Sequence, residues 1–451
     1  GVGAPATLPQ QGFSLNLVSN ELNVDSWIDF LGHPNKTQTA MKDESSTTNT
    51  QVTVQAKKFI LMDRAWQDMN ITASQKSGIL QMQMISPQIN GQIQYSGASQ
   101  ANPNGSLTGT FSRLRAPDPI PETIQVSTES SSNKKMISPD SIPSLNISID
   151  DFVWSKAQLG QVKIKATSSN NVLNIDSIQT DNPQGTSTLT GQWLGANANQ
   201  AEHTKLKSVM DVKNAGQIIA HWSTHKSIEG GQGKVIASIE WNGSPFDPQY
   251  NSLKGKADFN LIQGRLLEVD TSGAQILDVL SLQSLFKFAT LDLKGSVGNI
   301  ATKGTVFNSI IGAFDIQNGI AKTTQFSMEL DQARVAMKGQ INIPKQTQDL
   351  RITIFPTIDA TAGSLAAFAI NPIVGLGALV GQYLITSQIN RNFQSDYLVQ
   401  GTWKDPHVIP LDQQGQPIDS KTMDTIRNKE LLMEQSKPAP HNPSNTPAPP
   451  M

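Results

Sequence analysis

Apolar and polar residues alternate one by one along much of the chain. Leu80, Met82 and Met84 are separated by glutamines, and Val162 and Ile164 are separated by a lysine. Successive side chains of a β-strand point to opposite faces of the sheet, so a period of two collects the apolar residues on one face. The chain is therefore predicted to be mostly β, with strands that are apolar on one face and polar on the other.

A short motif, apolar-x-Gly-x-apolar, recurs within the alternating segments. In a strand the glycine lies on the same face as its two apolar neighbours and leaves a gap, which allows a bend or the close approach of another group. The recurrence indicates a weak repeat of several strands per unit rather than a tight solenoid. The glycines of the motif are Gly109, Gly191, Gly255, Gly295, Gly339 and Gly401.

The stretch from Ala360 to Ile389 differs from the rest of the chain because it has no charged side chain. A run of this length is long enough to cross a bilayer as a helix. However, Asn371-Pro372 interrupts it, since proline removes a donor and disfavours helix in the residue before it. The strand pattern also resumes after the run, which argues against a plain transmembrane span.

We predict instead an apolar helical tip made of two short helices, residues 363–370 and 373–389. These helices would dip into a membrane, lie on it or plug the end of the β-structure. The alternative is a helical hairpin packed on the protein's own core. The side chains predicted to face a membrane are Leu365, Phe368, Ile370, Ile373, Val374, Leu376, Leu379, Val380 and Leu384.

These patterns divide the chain into five successive regions. An N-terminal β region with a polar loop precedes a continuous run of repeated strands, which includes a short helix near 273–288. The apolar helical segment, a closing strand and a Pro-rich tail of disordered composition follow. The regions cover residues 1–62, 63–359, 360–391, 392–411 and 412–451.

The composition narrows the classes of function. The net charge of the 451 residues is −2, so nothing indicates a nucleic-acid partner. The chain has no cysteine, which excludes disulfides, cysteine-ligated metals and cysteine nucleophiles. That absence is compatible with an oxidising compartment such as the periplasm. The chain begins without methionine, so we expect a fragment of a longer protein whose anchoring segment lies outside it.

No constellation of catalytic residues stands out. His221 and His225 are four residues apart but lack an HExxH signature, which favours a surface pair over a metal site. The segment Gly230–Gly233 lacks the features of a phosphate loop and predicts a hairpin turn. Asp150-Asp151 are neighbours at a strand end and point to opposite sides, so they do not form an acid/base pair. We therefore expect no enzymatic activity, no metal and no cofactor.

The order of several segments resembles the large AsmA-like proteins of the YhdP branch. The resemblance extends from about Trp66 to Val408 and corresponds to the C-terminal part of such a protein. The segments that carry it are LNISIDDFVWSKAQLGQVKIKA, IEWNGSPFDPQYNSLKGKADFNLIQGRLLEVDTSGAQILDVLSL, FDIQNGIAKTTQFSMELDQARVAMKGQINI, DLRITIFPTIDATAG and YLVQGTWKDPHV.

The resemblance implies an elongated, curved, mostly antiparallel sheet that forms a groove across the periplasm. Its apolar inner face would conduct phospholipid and so support the lipid homeostasis and barrier integrity of the outer membrane. The implied partners are phospholipid, the outer membrane at the C-terminal end, and the inner membrane through an N-terminal anchor outside this chain. From the alternation, the residues expected to line the groove are Leu80, Met82, Met84, Ile147, Ile149, Val162, Ile164, Ile239, Phe259, Leu261, Val335, Met337, Ile341, Ile352 and Ile354.

The alternation by itself leaves other functions open. A structural or adhesive surface protein with a closed, dry core needs the same alternation. An assembly factor could hold outer-membrane β-proteins by adding their strands to a sheet edge. A glycan-cleaving enzyme would need two facing carboxylates from distant strands, a feature that one sequence does not reveal.

Overall fold

The alternating segments form one large, open and curved sheet of 19 strands in the computed structural model of the protein. The described residues are mostly strand with few helices, as the alternation predicted. Each strand pairs with its neighbours in the chain. The structure describes residues 13–25, 50–120, 137–198, 200–220, 228–267, 305–330, 333–356, 395–403, 405–412 and 414–418.

The strands are numbered in chain order. The first nine are β1 (Phe13–Asn23), β2 (Thr50–Leu61), β3 (Arg64–Lys76), β4 (Ile79–Ile85), β5 (Ile89–Ser96), β6 (Ser106–Ala116), β7 (Ser144–Trp154), β8 (Ala157–Ser169) and β9 (Val172–Asn182). The others are β10 (Gly185–Leu194), β11 (His203–Val212), β12 (Ile228–Asn242), β13 (Lys254–Leu266), β14 (Thr305–Gln317), β15 (Ile320–Leu330), β16 (Ala333–Asn342), β17 (Thr347–Pro356), β18 (Ser395–Thr402) and β19 (Pro406–Leu411).

The helical elements of the described residues are short. Helix α1 (Ala215–Ala220) follows β11, and two 3-10 turns cover Pro139–Ser141 and Tyr250–Ser252. The predicted helix near 273–288, the predicted helical tip and the part of the predicted tail beyond residue 418 lie outside the described residues. Those three predictions therefore remain predictions. The start of that tail does not fit the disorder expected from residue 412, because residues 414–418 turn back onto β19, where the amide of Ile418 donates a hydrogen bond to the carbonyl of Pro410.

The pairings between neighbouring strands are antiparallel except at two places. β1 pairs with β2 in parallel, and β6 pairs with β7 in parallel. A parallel pair needs a connection that returns along the length of the strand, whereas an antiparallel pair needs only a turn. The segments between β1 and β2 and between β6 and β7 are the connections that these two parallel pairs require.

Because most neighbouring strands run in opposite directions, the turns between them lie on two opposite rims of the sheet. One rim has tight turns such as Ser77-Gly78, Asn170-Asn171 and Asn318-Gly319. The other rim carries the longer connections between β11 and β12, β13 and β14, and β17 and β18. The charge-free run of the sequence belongs to the last of these connections.

The buried side chains of the sheet form two large clusters. The first cluster includes Trp66, Phe111 and Val162, and with the half-buried residues packed against it extends from β1 to β9. The second includes Phe307 and Ile352 and extends from β11 to β19. A smaller group centred on the fully buried Trp193 lies beside the 3-10 turn at residue 139. The core is thus spread along one face of the sheet instead of filling a globule.

Two of the predicted region boundaries do not coincide with structural ones. Met62 and Asp63 have φ values of 56° and 54° and form the tight turn that joins β2 to β3, so the sheet is continuous across residue 62. The turn has none of the Asn-Gly or Asp-Gly signals that mark such hairpins in a sequence. The closing segment 392–411 contains two strands, β18 and β19, because a turn near Asp405 reverses the chain.

Two smaller predictions are wrong. Gly230–Gly233 does not form a hairpin turn but lies inside β12, where Gly231 is buried against the ring of Phe307. Asp150-Asp151 lies within β7 rather than at its end, and Asp151 accepts a hydrogen bond of 2.6 Å from Arg115. In both cases the pairing with a neighbouring strand overrides the local signal.

Candidate functional site

The two faces of the sheet differ in polarity and in burial. Val162 and Ile149 oppose each other on neighbouring strands and are 2% and 3% exposed. Lys163, the next residue in β8, is exposed on the other face, opposite Ser148. We call the face that holds the buried clusters the inner face and the lysine-bearing face the outer face.

One inner residue from each strand joins an unbroken row across the whole sheet. Directly opposed residues of neighbouring strands point to the same face, so the register alone defines this set, which we call the continuous row. Its members are Leu17, Val54, Ile71, Met84, Gly91, Phe111, Ile149, Val162, Thr180, Ser187, Met210, Val235, Phe259, Gly312, Phe326, Met337, Ile352, Tyr397 and Pro410.

The continuous row is long on a molecular scale. Strands lie about 4.8 Å apart, so the steps across all of the strands add up to about 85 Å. Nearly all members are aliphatic, aromatic or glycine. The inner face therefore presents one narrow apolar path that runs across the strands from the first to the last.

The structure brings the 15 residues predicted to line a groove onto this one face. Six of them belong to the continuous row, namely Met84, Ile149, Val162, Phe259, Met337 and Ile352. The other nine lie two or four residues away in the same strands and so share the face. These are Leu80, Met82, Ile147, Ile164, Ile239, Leu261, Val335, Ile341 and Ile354.

The inner face is closed in some parts and accessible in others. Ile352 and Val335 are 0% and 2% exposed, because the neighbouring strands of the second cluster pack around them. In β4, by contrast, Leu80, Met82 and Met84 are all half-buried. Accessible apolar side chains of this kind leave contact area free for a bound apolar molecule.

Several members of the continuous row were missed by sequence reasoning. Ile71, Phe111, Met210, Val235 and Phe326 lie in line with the predicted residues. The glycine motif already contained Phe111, so its position was available from the sequence. Phe326 was hidden because the register of β15 shifts just before it, which interrupts the simple alternation.

The glycines of the recurring motif bring neighbouring backbones close together. Gly339 has a φ of 137°, and a Cβ atom there would lie 2.9 Å from Cα of Leu350 and would collide with the carbonyl oxygen of Asp349. Gly255 has a φ of 142° and a similar contact with Ser238. The gap predicted at these positions is therefore filled by the adjacent strand.

The outer face is typical of a solvated surface. Lys234 and Asp211 form a cross-strand ion pair of 3.1 Å in which both side chains are more than half exposed. Exposed pairs of this kind contribute at most about 1 kcal/mol to stability. The outer face thus carries exposed charged pairs, and we assign the candidate function to the inner face.

The described part of the chain offers no site for metal chemistry and no membrane-spanning helix. No group of histidine, aspartate and glutamate residues within it could hold a metal ion. None of its helices is both long and apolar enough to cross a bilayer. His221, His225 and the nine predicted membrane-facing residues between Leu365 and Leu384 lie outside the described residues.

Comparison with known proteins agrees with this picture. A family model described as YhdP protein matches residues 1–408. The intermembrane phospholipid transporter YhdP of Escherichia coli (strain K12) is 25% identical over 258 residues, which are 57% of this chain and 20% of the relative. The matched part therefore spans about a fifth of the relative's length. No solved structure matches the chain. The relative's name describes a transporter, in agreement with the expectation that the chain is not an enzyme.

Proposed function

Because the chain belongs to the YhdP protein family, as the order of its segments predicted, we propose that it forms part of a conduit for phospholipid between two membranes. The phospholipid would lie on the inner face, with its acyl chains along the continuous row. The observation that carries the proposal is the unbroken register of inner residues across all the described strands.

The physical chemistry of acyl chains fits such a surface. Burial of an acyl chain contributes about 0.8 kcal/mol per CH₂ group and needs no directional contact. A path of aliphatic side chains therefore holds a lipid without fixing it at one position, and the polar headgroup can remain in water at the open side. The absence of a catalytic constellation from the sequence is expected for such a surface.

The dimensions allow several phospholipids to be bound in succession. Half of a bilayer's hydrocarbon core is about 15 Å thick, which approximates the length of one acyl chain. This length equals about three strand spacings. The continuous row of 19 strands is thus several times longer than one lipid.

In this proposal the chain lies in the periplasm of a Gram-negative envelope. The rest of the protein anchors it to the inner membrane, and its C-terminal end delivers lipid at the outer membrane, where it supports the barrier. The charge-free segment 360–389 is the part proposed to contact a membrane. Support comes from the relative's name and from the position of this segment in the connection between β17 and β18.

In-cell photo-crosslinking tests the proposal. A photoreactive residue is placed at Ile164 in one variant and at Lys163 in another, in cells grown with radiolabelled phosphate. These neighbours in β8 lie on opposite faces of the same strand, so they form a matched pair. We expect labelled phospholipid on the purified protein with the probe at Ile164 and not with the probe at Lys163.

Two results would contradict the conduit. Label at neither position, in a folded protein, would mean that the inner face is a closed core at β8. Equal label at both positions would mean that lipid adheres without regard to the face. Either result would favour the structural or the assembly-factor function that the alternation left open.

A further inference from the structure

The members of the continuous row in β9 and β10 are polar. Thr180 and Ser187 oppose each other there, and their hydroxyl oxygens are 2.8 Å apart. The flanking members of the row, Val162 in β8 and Met210 in β11, are apolar. Both hydroxyl side chains are half-buried on the inner face. A polar pair thus lies within an otherwise apolar path.

A third hydroxyl group lies beside this pair. Ser208 is on the inner face of β11, where it opposes Leu189 and is diagonal to Ser187. Diagonal neighbours of adjacent strands have Cα atoms about 7–8 Å apart. We call Thr180, Ser187 and Ser208 the hydroxyl step.

The hydroxyl step coincides with the boundary between the two large buried clusters. The first cluster ends with Ile178 in β9, and the second begins with Met210 in β11. The step lies in the ninth, tenth and eleventh of the 19 strands, near the middle of the sheet. It therefore separates two apolar lengths of the path.

The hydroxyl pair retains hydrogen-bonding capacity. Each hydroxyl has one proton to donate and two lone pairs. One proton is used in the bond between Thr180 and Ser187, and the second remains available to a ligand on the inner face. The lysines of β8 and β11, including Lys163 and Lys207, lie on the outer face. The step therefore offers neutral donors and no cation.

We propose that the hydroxyl step is a subsite for the ester carbonyls of a glycerophospholipid, an inference that rests on the proposed transport function. Ester carbonyls lie where the acyl chains join the glycerol, and they are neutral acceptors that match neutral donors. A phosphate group would instead be recognised by arginine or lysine. A lipid held by its esters at the step extends its acyl chains over one of the two apolar lengths. The step thereby defines a resting position halfway along the path.

The test removes the two hydroxyls of the hydrogen-bonded pair, Thr180 and Ser187, and nearly keeps the size of the side chains. The variant T180V/S187A is compared with T110V/S148A, which changes an equivalent pair that opposes on the outer face of β6 and β7. A photoreactive residue at Met210 reports lipid at the step, and one at Met84 reports lipid at a distant point of the same row. Both are introduced in cells grown with radiolabelled phosphate.

We expect label at Met210 to fall about two- to tenfold in T180V/S187A, as for the loss of one net hydrogen bond. Label at Met84 should not change, and T110V/S148A should behave like the unmodified protein. The single variant S187T keeps a hydroxyl group and should keep the label, which guards against loss of the fold as the cause.

The outcomes separate this inference from the proposed function. Unchanged label at Met210 in T180V/S187A overturns the subsite and leaves the conduit intact. Increased label also overturns it, because the hydroxyls would then hinder acyl chains instead of holding esters. Absence of label at both Met84 and Met210 in the unmodified protein contradicts the conduit itself.

Discussion

A negative charge on the inner face should block the proposed lipid path at one point. Ile164 is half-buried in β8 between its register partners Ile147 and Ile178 on the neighbouring strands. The substitution Ile164→Asp places a carboxylate in this apolar row. The substitution Lys163→Asp introduces the same side chain one residue away on the outer face and is the matched control.

The magnitude follows from the geometry of the sheet. An inner residue occupies about 4.8 Å across the strands and about 6.7 Å along them, a footprint of about 32 Å². An acyl chain that covers this residue loses a similar area of its own surface to the contact, so the two surfaces together bury about 64 Å². At about 25 cal/mol per Å² this contact contributes about 1.6 kcal/mol. Its loss corresponds to about 15-fold in occupancy, and the desolvation of the carboxylate adds to the effect.

The assay uses a photoreactive residue at Ile147, the inner neighbour in β7, in cells grown with radiolabelled phosphate. We expect Ile164→Asp to lower the phospholipid label by about 15-fold or more. Lys163→Asp should lower it less than about twofold, because its side chain remains in solvent. Hydrogen exchange in β7–β9 verifies that both variants keep the sheet.

Two results would refute this reasoning. If Ile164→Asp kept full label in a folded protein, lipid would not contact the inner face at β8. If both variants lost label equally, the effect would come from net charge or from the fold and not from the face. Intermediate loss with Ile164→Asn would support the contribution of apolar contact apart from charge.

Two further predictions concern the glycines that shape the inner face. Gly264→Ala would place a Cβ atom 2.6 Å from Cε1 of Phe307. We expect the overpacking to destabilise the fold by about 1–3 kcal/mol, which is measured as faster hydrogen exchange in β13 and β14. The destabilisation should be smaller when Gly264→Ala is combined with Phe307→Leu. If Gly264→Ala destabilised the protein equally with Phe307 and with Leu at position 307, the contact with the Phe307 ring would not be the cause. Gly339→Ala should lower the free energy of unfolding by about 1–3 kcal/mol because of the positive φ of Gly339. Gly97→Ala is the control, because its Cβ atom enters open space, and it should leave the free energy of unfolding in urea unchanged. Similar losses of stability in both variants would argue against a backbone cause.

Much of the candidate site was predictable from the sequence, because a period of two requires only that each segment be a strand. Met82, Ile147 and Ile164 alternate with polar residues over enough positions to fix their common face. The prediction needs no knowledge of which strand is adjacent. It fails where local signals are weak, as at the Met62-Asp63 turn, or where a bulge shifts the alternation, as before Phe326.

The sequence alone determined the class of structure, the family, and the common face of the apolar residues in clearly alternating segments. Tertiary structure decided how these residues align, because the register depends on every bulge between one strand and the next. The register of β8 against β9 shifts near Ala166, and that shift contributes to placing Thr180 opposite Val162. No local pattern specifies this offset, since it results from hydrogen bonding between strands. The hydroxyl step in the middle of an apolar path therefore became visible only in the assembled sheet.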